Sequence, residues 1–213
     1  MRFTVPHRVE TERLVLRRYT HADAEALGEV TTRNVDHLRR YMEWIQFEPQ
    51  SIEQRRALID TLNSQADAGE DYTLGMFLHS GEFIGGTGYH VRAHPDRLEL
   101  GYWIDRAQEG RGLVTEAAVA LTLVALNLAG ADIVDVAHAP SNERSASIPR
   151  RLGFVRQEAV AHGCFDDGQM HDGVMWWATR DHLTQEPFAA APRPRAWGAD
   201  GTEFAWPAER ADA

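Results

Sequence analysis

In the first third of the chain, the apolar residues form one short run that predicts a strand and then recur at helical spacing. An apolar run flanked by charged residues predicts that strand at residues 14–18. Beyond it, Thr20 can cap a helix, apolar side chains recur at the spacing of a helix face, and Gly69 closes the pattern. The predicted helices span residues 22–30, 35–45 and 52–68.

From residue 72 the pattern is typical of strands. Turn residues separate three segments that predict successive antiparallel strands at 72–78, 83–91 and 97–104. A loop at 108–112 then leads into a long helix over 113–129, and a strand follows at 133–137. Strand, loop, helix and strand in this order predict a crossover connection.

The last part of the chain predicts a short helix, a hairpin and a tail. The helix covers residues 142–152, and the strands cover 153–160 and 173–179 around a turn at Asp167. Residues 185–213 are rich in Pro, Ala and Arg and predict a tail with exposed aromatic side chains. We therefore expect one mixed α/β domain over residues 1–184. Its mostly antiparallel, twisted sheet should have about six or seven strands flanked by helices.

Length and composition narrow the class of protein. A chain of 213 residues with 43% hydrophobic residues can form one domain with a substantial core. It contains no run of apolar residues long enough to span a bilayer and no apolar secretion signal at its start, so we expect a soluble cytoplasmic protein. The net charge of −10 argues against nucleic-acid and membrane partners and weakly favours a cationic acceptor.

Two residue types exclude whole classes of chemistry. All 22 basic residues are arginine, which excludes a phosphate-binding loop that needs lysine and any lysine Schiff base. Cys164 is the only cysteine, which excludes an internal disulfide and a zinc site made of several cysteines. We interpret Cys164 as structural rather than as a nucleophile. No metal is expected.

Gly110 and Gly112 lie between a predicted strand and the first turn of the long helix. The first amides of a helix lack internal partners and lie at its positive end, so they can bind a pyrophosphate, and glycines let the backbone approach it. An ordinary tight turn would show the same two glycines. A dinucleotide site would need a third glycine where Thr115 stands, and a parallel strand before the loop.

The segment from Glu109 to Ala117 resembles the acetyl-CoA pyrophosphate loop of the GNAT superfamily of N-acetyltransferases. Residues 98–104 resemble the strand before that loop, and residues 142–145 with 152–154 resemble the helix and strand after it. Residues 11–14 and 38–44 look like the Rim branch (RimJ/RimL-like), which contains ribosomal-protein N-terminal acetyltransferases and their small-molecule relatives. The resemblance covers about residues 8–183.

The resemblance implies a GNAT fold whose sheet splays at the acyl-CoA site. It implies direct transfer of an acetyl or related acyl group from acyl-CoA to a primary amine of a small molecule or a peptide N-terminus. The family usually has Gln or Arg at Glu109 and Gly or Ala at Val114, and a nearby arginine can compensate the anion. The implied cofactor-binding residues are Tyr102, Trp103, Ile104, Glu109, Gly110, Arg111, Gly112, Leu113, Val114, Thr115, Asn142, Arg144 and Ser145.

The resemblance also implies catalytic roles. Glu99 is the candidate base for the acceptor ammonium, with a solvent-facing strand residue as the alternative. Many relatives have a tyrosine acid where this chain has Pro149, and Ser145 is the substitute expected beside the thiolate, with helix capping as the alternative. A backbone N–H near Gly101 or Tyr102 would polarise the thioester carbonyl.

Acceptor recognition and assembly are predicted from placement alone. Tyr41, Trp44, Asp167 and Asp172 are the candidate acceptor-binding residues, since the acids could hold a cation. The aromatic residues of the tail could dock on a second copy, which makes a homodimer possible. Two other functions stay open at this point: a non-catalytic acyl-CoA-binding domain and a dinucleotide-dependent oxidoreductase.

Overall fold

The computed structural model describes residues 3–92 and 94–207, with backbone alone over 158–162. The helices are α1 (Ala24–Arg33), α2 (Val35–Leu38), α3 (Ile52–Ala68), α4 (Leu113–Val124) and α5 (Glu143–Arg151). The strands are β1 (Arg8–Glu10), β2 (Leu14–Arg17), β3 (Asp71–Leu78), β4 (Phe83–His90), β5 (Arg97–Ile104), β6 (Ile133–His138), β7 (Val155–Asp166), β8 (Gln169–Thr179) and β9 (Arg195–Trp197). Among the described helices, none has the length and apolar character to cross a bilayer.

The strands form one nine-stranded sheet in the order β7-β8-β6-β5-β4-β3-β2-β1-β9. Its pairs are antiparallel except that β5 and β6, joined through α4, run parallel. The GNAT fold and the predicted crossover are confirmed. The sheet has more strands than expected because β1 and β9 are three residues each, too short to show a period in the sequence.

The parallel pair in the middle of the sheet separates part-way along its length. β5 and β6 pair from Arg97 and Ile133 only as far as Glu99 and Asp135, although β5 runs on to Ile104. Beyond Glu99 the facing edges therefore leave a gap, and this gap positions the candidate site.

Two apolar clusters cover the two faces of the sheet. Leu14 and Leu16 of β2 belong to the larger cluster, which contains most of α4, whereas Val15 between them belongs to the cluster beneath α1 and α3. Alternation along a strand sends neighbouring side chains to opposite faces, which explains the division. The helix predicted over 113–129 is confirmed, with a π turn in its last five residues before Gly130.

The single helix predicted over residues 35–45 is wrong. The chain forms α2 and a separate 3₁₀ turn, Glu43–Phe47, with a break between them. At the break, the Arg40 carbonyl accepts from the Asp167 N–H at 2.8 Å, and the Tyr41 hydroxyl donates to the Ser141 carbonyl at 3.2 Å. The first bond takes a backbone carbonyl that a longer helix would use, and helical spacing in the sequence shows neither of these long-range bonds.

The hairpin of β7 and β8 is longer than the strands predicted at 153–160 and 173–179. Its strands continue to Asp166 and from Gln169, and they pair across the turn. The start of β8, residues 169–172, is exposed, so no apolar alternation marks this part as a strand.

The segment predicted as a tail contributes a strand to the sheet. Residues 195–197 pair with β1, and Phe188 and Ala196 are buried in the larger cluster. The tail aromatics, expected to be free for a second copy, pack on their own chain: Phe204 and Trp206 lie against this cluster, and the Trp206 indole donates to the Pro194 carbonyl at 2.9 Å. Residues 208–213 of the segment lie outside the described part.

Candidate active site

The loop before α4 presents its backbone toward a cleft. Gly110 and Gly112 have φ of 74° and 76°, a left-handed conformation that glycine adopts without a Cβ penalty. Gly112 is the N-cap, and the first helical bond runs from the Glu116 N–H to its carbonyl at 3.0 Å. The amides of residues 113–115 therefore precede that bond at the positive end of the helix, where an anion is favoured.

These amides border a cavity of about 950 Å³ between β5, the start of α4 and the start of α5. Every residue that the sequence assigns to the cofactor lines it except Arg111. The Arg111 side chain instead donates to the Gln108 side chain, and the backbone carbonyl of Arg111 accepts from Arg13 Nη1 at 2.9 Å. Arg13 also forms an ion pair with Glu116 in the first turn of α4. The sequence analysis did not predict this pair, which stabilises the loop.

The carboxylate of Glu109, unusual for this loop, is neutralised by neighbours. Arg144 Nη1 donates to both of its oxygens at 2.7 Å, and His37 Nε2 lies 3.0 Å from Oε1. Arg144 is thus a nearby arginine that compensates this charge. Arg144 and Glu109 thus form a bridge between α5 and the loop across the rim of the cavity.

Tyr102 and Ser145 meet at the inner end of this cavity. The Tyr102 hydroxyl donates to the Ser145 carbonyl at 3.0 Å, and the Ser145 hydroxyl donates to Tyr102 Oη at 3.3 Å. Burial raises the pKa of Tyr102 well above its usual value, so the phenol stays protonated. Asn142 caps α5, since its side-chain oxygen accepts from the Ser145 N–H at 3.1 Å.

A second cavity, of about 610 Å³, adjoins the first. Tyr41 and Trp44, two of the predicted acceptor-binding residues, line it, and the rings of Trp44 and Trp103 lie 5.6 Å apart. The residues that line both cavities are Tyr41, Met42, Tyr102, Trp103 and Ser145.

Glu99 lies in the second cavity, at the last paired position before β5 and β6 separate. Its residue is only 7% exposed, so it is not a solvent-facing strand residue. Arg92 Nη2 donates to Glu99 Oε1 at 2.8 Å.

The comparison with protein families shows which family the chain belongs to. A family model described as an acetyltransferase (GNAT) domain matches residues 13–155. The chain belongs to the GNAT acetyltransferases. That membership confirms the predicted acetyl-CoA-dependent N-acetyltransferase and excludes the dinucleotide-dependent alternative.

Curated relatives and solved structures agree with this assignment. The chain is 26% identical over 166 residues to YdaF of Bacillus subtilis, covering 78% of this chain and 90% of that protein. It is 28% identical over 175 residues to the ribosomal protein uS5-alanine N-acetyltransferase of Escherichia coli, covering 79% and 88%. Mycobacterium smegmatis RimJ, in a complex with CoA-disulfide, has a TM-score of 0.73 and 21% identity over 92% of this chain and 100% of that one, which supports the fold.

Two predicted acceptor-binding residues of this GNAT acetyltransferase lie away from both cavities. Asp167 forms the turn of the β7–β8 hairpin with φ of 48°, and Asp172 is exposed on β8. Their neighbour Asp166 accepts from Arg40 Nε at 2.9 Å and from the Ser141 hydroxyl. Asp166 thus ties the hairpin to the segment that contains Tyr41.

Two other groups in the second cavity are poor proton acceptors or nucleophiles. Both ring nitrogens of His138 are engaged, because Nδ1 lies 2.8 Å from the Ala139 carbonyl and Nε2 accepts from the Trp176 indole at 2.9 Å. Burial lowers the pKa of His138. Burial raises the pKa of Cys164 to about 11, which leaves it a thiol, in keeping with the structural role expected.

Sequence analysis missed two polar residues that lie together in the second cavity. Asp71 and His90 line the second cavity from β3 and β4, and His90 Nδ1 lies 2.8 Å from Asp71 Oδ2. They are 19 residues apart in the chain, and only the pairing of β3 with β4 brings them together. In the described residues, no group of three or more His, Cys, Asp or Glu side chains is arranged to hold a metal ion.

Proposed function

We propose that this GNAT acetyltransferase transfers the acetyl group of acetyl-CoA, bound in the first cavity, to a primary amine bound in the second. The observation that carries the proposal is that Tyr102 and Ser145 line both cavities. A donor and an acceptor bound on either side of these residues have their reacting atoms at one place. Direct attack on the thioester then needs no covalent enzyme intermediate.

The first cavity suits both ends of acetyl-CoA, the acyl donor. The free amides of residues 113–115 would bind the diphosphate, with backbone donors and the helix dipole acting together. The gap between β5 and β6 would take the pantetheine arm, and the hydroxyls of Ser145 and Tyr102 would supply a proton to the departing thiolate.

The direction of the backbone groups along β5 supports the N–H of Tyr102, rather than that of Gly101, as the hydrogen-bond donor to the thioester oxygen. The Gly101 carbonyl accepts from Thr87 on β4 at 2.9 Å, so the Gly101 backbone groups point toward β4. Backbone groups of neighbouring residues in a strand point to opposite sides. The Tyr102 N–H therefore points into the gap, where it could stabilise an oxyanion.

The second cavity suits an ammonium group attached to an apolar body. Trp44, Phe47 and Trp103 line it together with the carboxylates of Glu99 and Asp71. A volume of about 610 Å³ fits a small-molecule amine or the first residues of a peptide. Relatives named for ribosomal-protein acetylation favour a peptide N-terminus, and the acidic side chains would hold its ammonium.

The test is release of CoA thiol from acetyl-CoA in the presence of a panel of small primary amines and of peptides with free N-termini. We expect saturable turnover with at least one acceptor and initial-rate patterns of a ternary complex. Thermal protection by acetyl-CoA without turnover on any acceptor would instead support the non-catalytic acyl-CoA-binding domain.

Variants at the two predicted catalytic residues separate binding from chemistry. Glu99→Gln and Ser145→Ala should each lower kcat by about tenfold or more, while acetyl-CoA still raises the melting temperature. Glu70→Gln, which removes one negative charge from an exposed residue outside both cavities, is the matched control. Equal kcat in all three variants would contradict the assigned roles.

A further inference from the structure

His90 is held by a carboxylate in an orientation suited to accepting a proton. Its Nδ1 lies 2.8 Å from Asp71 Oδ2. A carboxylate is only an acceptor, so Nδ1 carries the hydrogen and Nε2 of the neutral ring keeps its lone pair. The ring is half-buried and lines the second cavity.

Nε2 of His90 faces the backbone at the point where the sheet opens. A Cβ added at Gly101 would lie 2.8 Å from this nitrogen, closer than real side chains pack. Only glycine at position 101 leaves room for the ring in this orientation, and Tyr102, whose hydroxyl reaches Ser145, is the next residue. Nε2 therefore lies beside the backbone of β5, one residue before Tyr102, which lines both cavities.

Three other titratable groups of this cavity, Glu99, His138 and Cys164, are less suited to take the proton. Glu99 Oε1 accepts from Arg92, and a carboxylate that took a proton there would weaken this ion pair. His138 has both nitrogens engaged, and Cys164 stays a thiol. Among the side chains that the structure describes, Asp71 of β3 pairs with His90 and Glu99 of β5 lies opposite it, while Arg92 after β4 and Cys164 of β7 line the same cavity.

We propose that His90, positioned by Asp71, takes the proton from the acceptor ammonium, while Glu99 holds that ammonium by its charge. This inference rests on the proposed function. The ammonium gives one proton to His90 Nε2, and the imidazolium formed is stabilised by Asp71. The neutral amine attacks the thioester carbon, the C–N bond forms and the C–S bond breaks. The second amine proton passes to the thiolate through Ser145 and Tyr102, which leaves amide, CoA thiol and protonated His90.

The test compares two acceptors that differ in basicity but little in size, 2-phenylethylamine and 2,2-difluoro-2-phenylethylamine. The fluorinated amine is far less basic and already largely neutral near pH 8, so it needs little proton removal. His90→Gln should lower kcat/KM for 2-phenylethylamine about 100-fold and that for the fluorinated amine less than tenfold. Asp71→Asn should cause a smaller loss of the same kind.

His21→Gln is the matched control, because His21 Nε2 forms a similar pair with Asp60 at 2.7 Å on the exposed surface. It should match the wild type with both amines. Equal losses with the two amines in His90→Gln would assign His90 a structural role and overturn the proposal. In that case wild-type turnover would still stand, so the failure is distinct from failure of the proposed function.

A measurement independent of turnover tests the tautomer. In protein labelled with ¹⁵N-histidine and saturated with acetyl-CoA, the His90 ring should show a protonated Nδ1 and an unprotonated Nε2 above neutral pH, and Asp71→Asn should change that pattern. A hydrogen on Nε2 in the wild type would overturn the proposal, whichever amine is acetylated.

Discussion

Arg144 Nη1 lies 2.7 Å from both carboxylate oxygens of Glu109, across the rim of the first cavity. The pair joins α5 to the loop that precedes α4. The Glu109 carboxylate therefore holds the Arg144 guanidinium where a phosphate group of a bound cofactor would otherwise attract it.

Glu109→Gln should tighten acetyl-CoA binding. The change removes a negative charge beside the diphosphate site and frees Arg144 for the cofactor, so KM for acetyl-CoA should fall by up to about fivefold, a gain of about 1 kcal/mol typical of an exposed ion pair. The gain should shrink in high salt. Glu70→Gln is the control, and a rise in KM would mean that the bridge positions Arg144 for binding.

Tyr102→Phe and Ser145→Ala should show coupled losses. Each should lower kcat about tenfold or more with little change in acetyl-CoA affinity, and the double variant should lose less than the product of the two because their hydroxyls form one network. Since the pKa of Tyr102 is raised from 10.0, the ratio of wild-type to Tyr102→Phe rates should stay constant from pH 6 to 9. Independent losses would separate the two roles.

Gly112→Ala should weaken cofactor binding beyond its cost in stability. Both Gly112, with φ of 76°, and Gly81, with φ of 90° in the turn between β3 and β4, have a left-handed backbone, and an added Cβ would meet no close backbone neighbour at either. Each alanine should therefore cost about 1–2 kcal/mol of unfolding free energy. Calorimetric titration should show reduced acetyl-CoA affinity for Gly112→Ala alone, and equal affinity in the two variants would argue against a phosphate site at α4.

The free energy of unfolding should decrease as the pH falls, because folding lowers the pKa of His138. Burial lowers the pKa of His138 below its ordinary 6.5, so the unfolded chain binds a proton first as the pH falls. The stability present above pH 6.5 should be lost progressively below it, down to the folded pKa. His138→Gln should flatten urea-derived stability between pH 7.5 and 5, with a residual slope from His7, whose pKa is also lowered. An unchanged slope would contradict the assignment.

Local patterns sufficed for the elements that bury an apolar face. α3, α4 and the strands β3 to β5 have alternation or helical spacing that the core enforces, and the glycine loop lies in sequence beside the helix it caps. Twelve of the thirteen predicted cofactor residues line one cavity for that reason.

Structural features that depend on contacts between residues far apart in the chain could not be predicted from the sequence. The break between α2 and the following 3₁₀ turn is stabilised by bonds from Arg40 and Tyr41 to residues 126 and 100 positions away. The pair of Asp71 and His90 depends on strand register, which residue type does not reveal. Asp167 and Asp172 have acidic side chains suited to a cation, yet the hairpin carries them away from the cavities.

The short strand β9 has a consequence for how this protein can be shortened. It covers the outer edge of β1 and ends in a bridge between Trp197 and Glu203, while Arg195 and Glu203 pair at 2.9 Å beside it. A protein cut after residue 184 would present the bare hydrogen-bonding groups of β1 to solvent and uncover apolar surface around Val9. Open edges of this kind recruit strands from other molecules, so such a truncation should self-associate and precipitate.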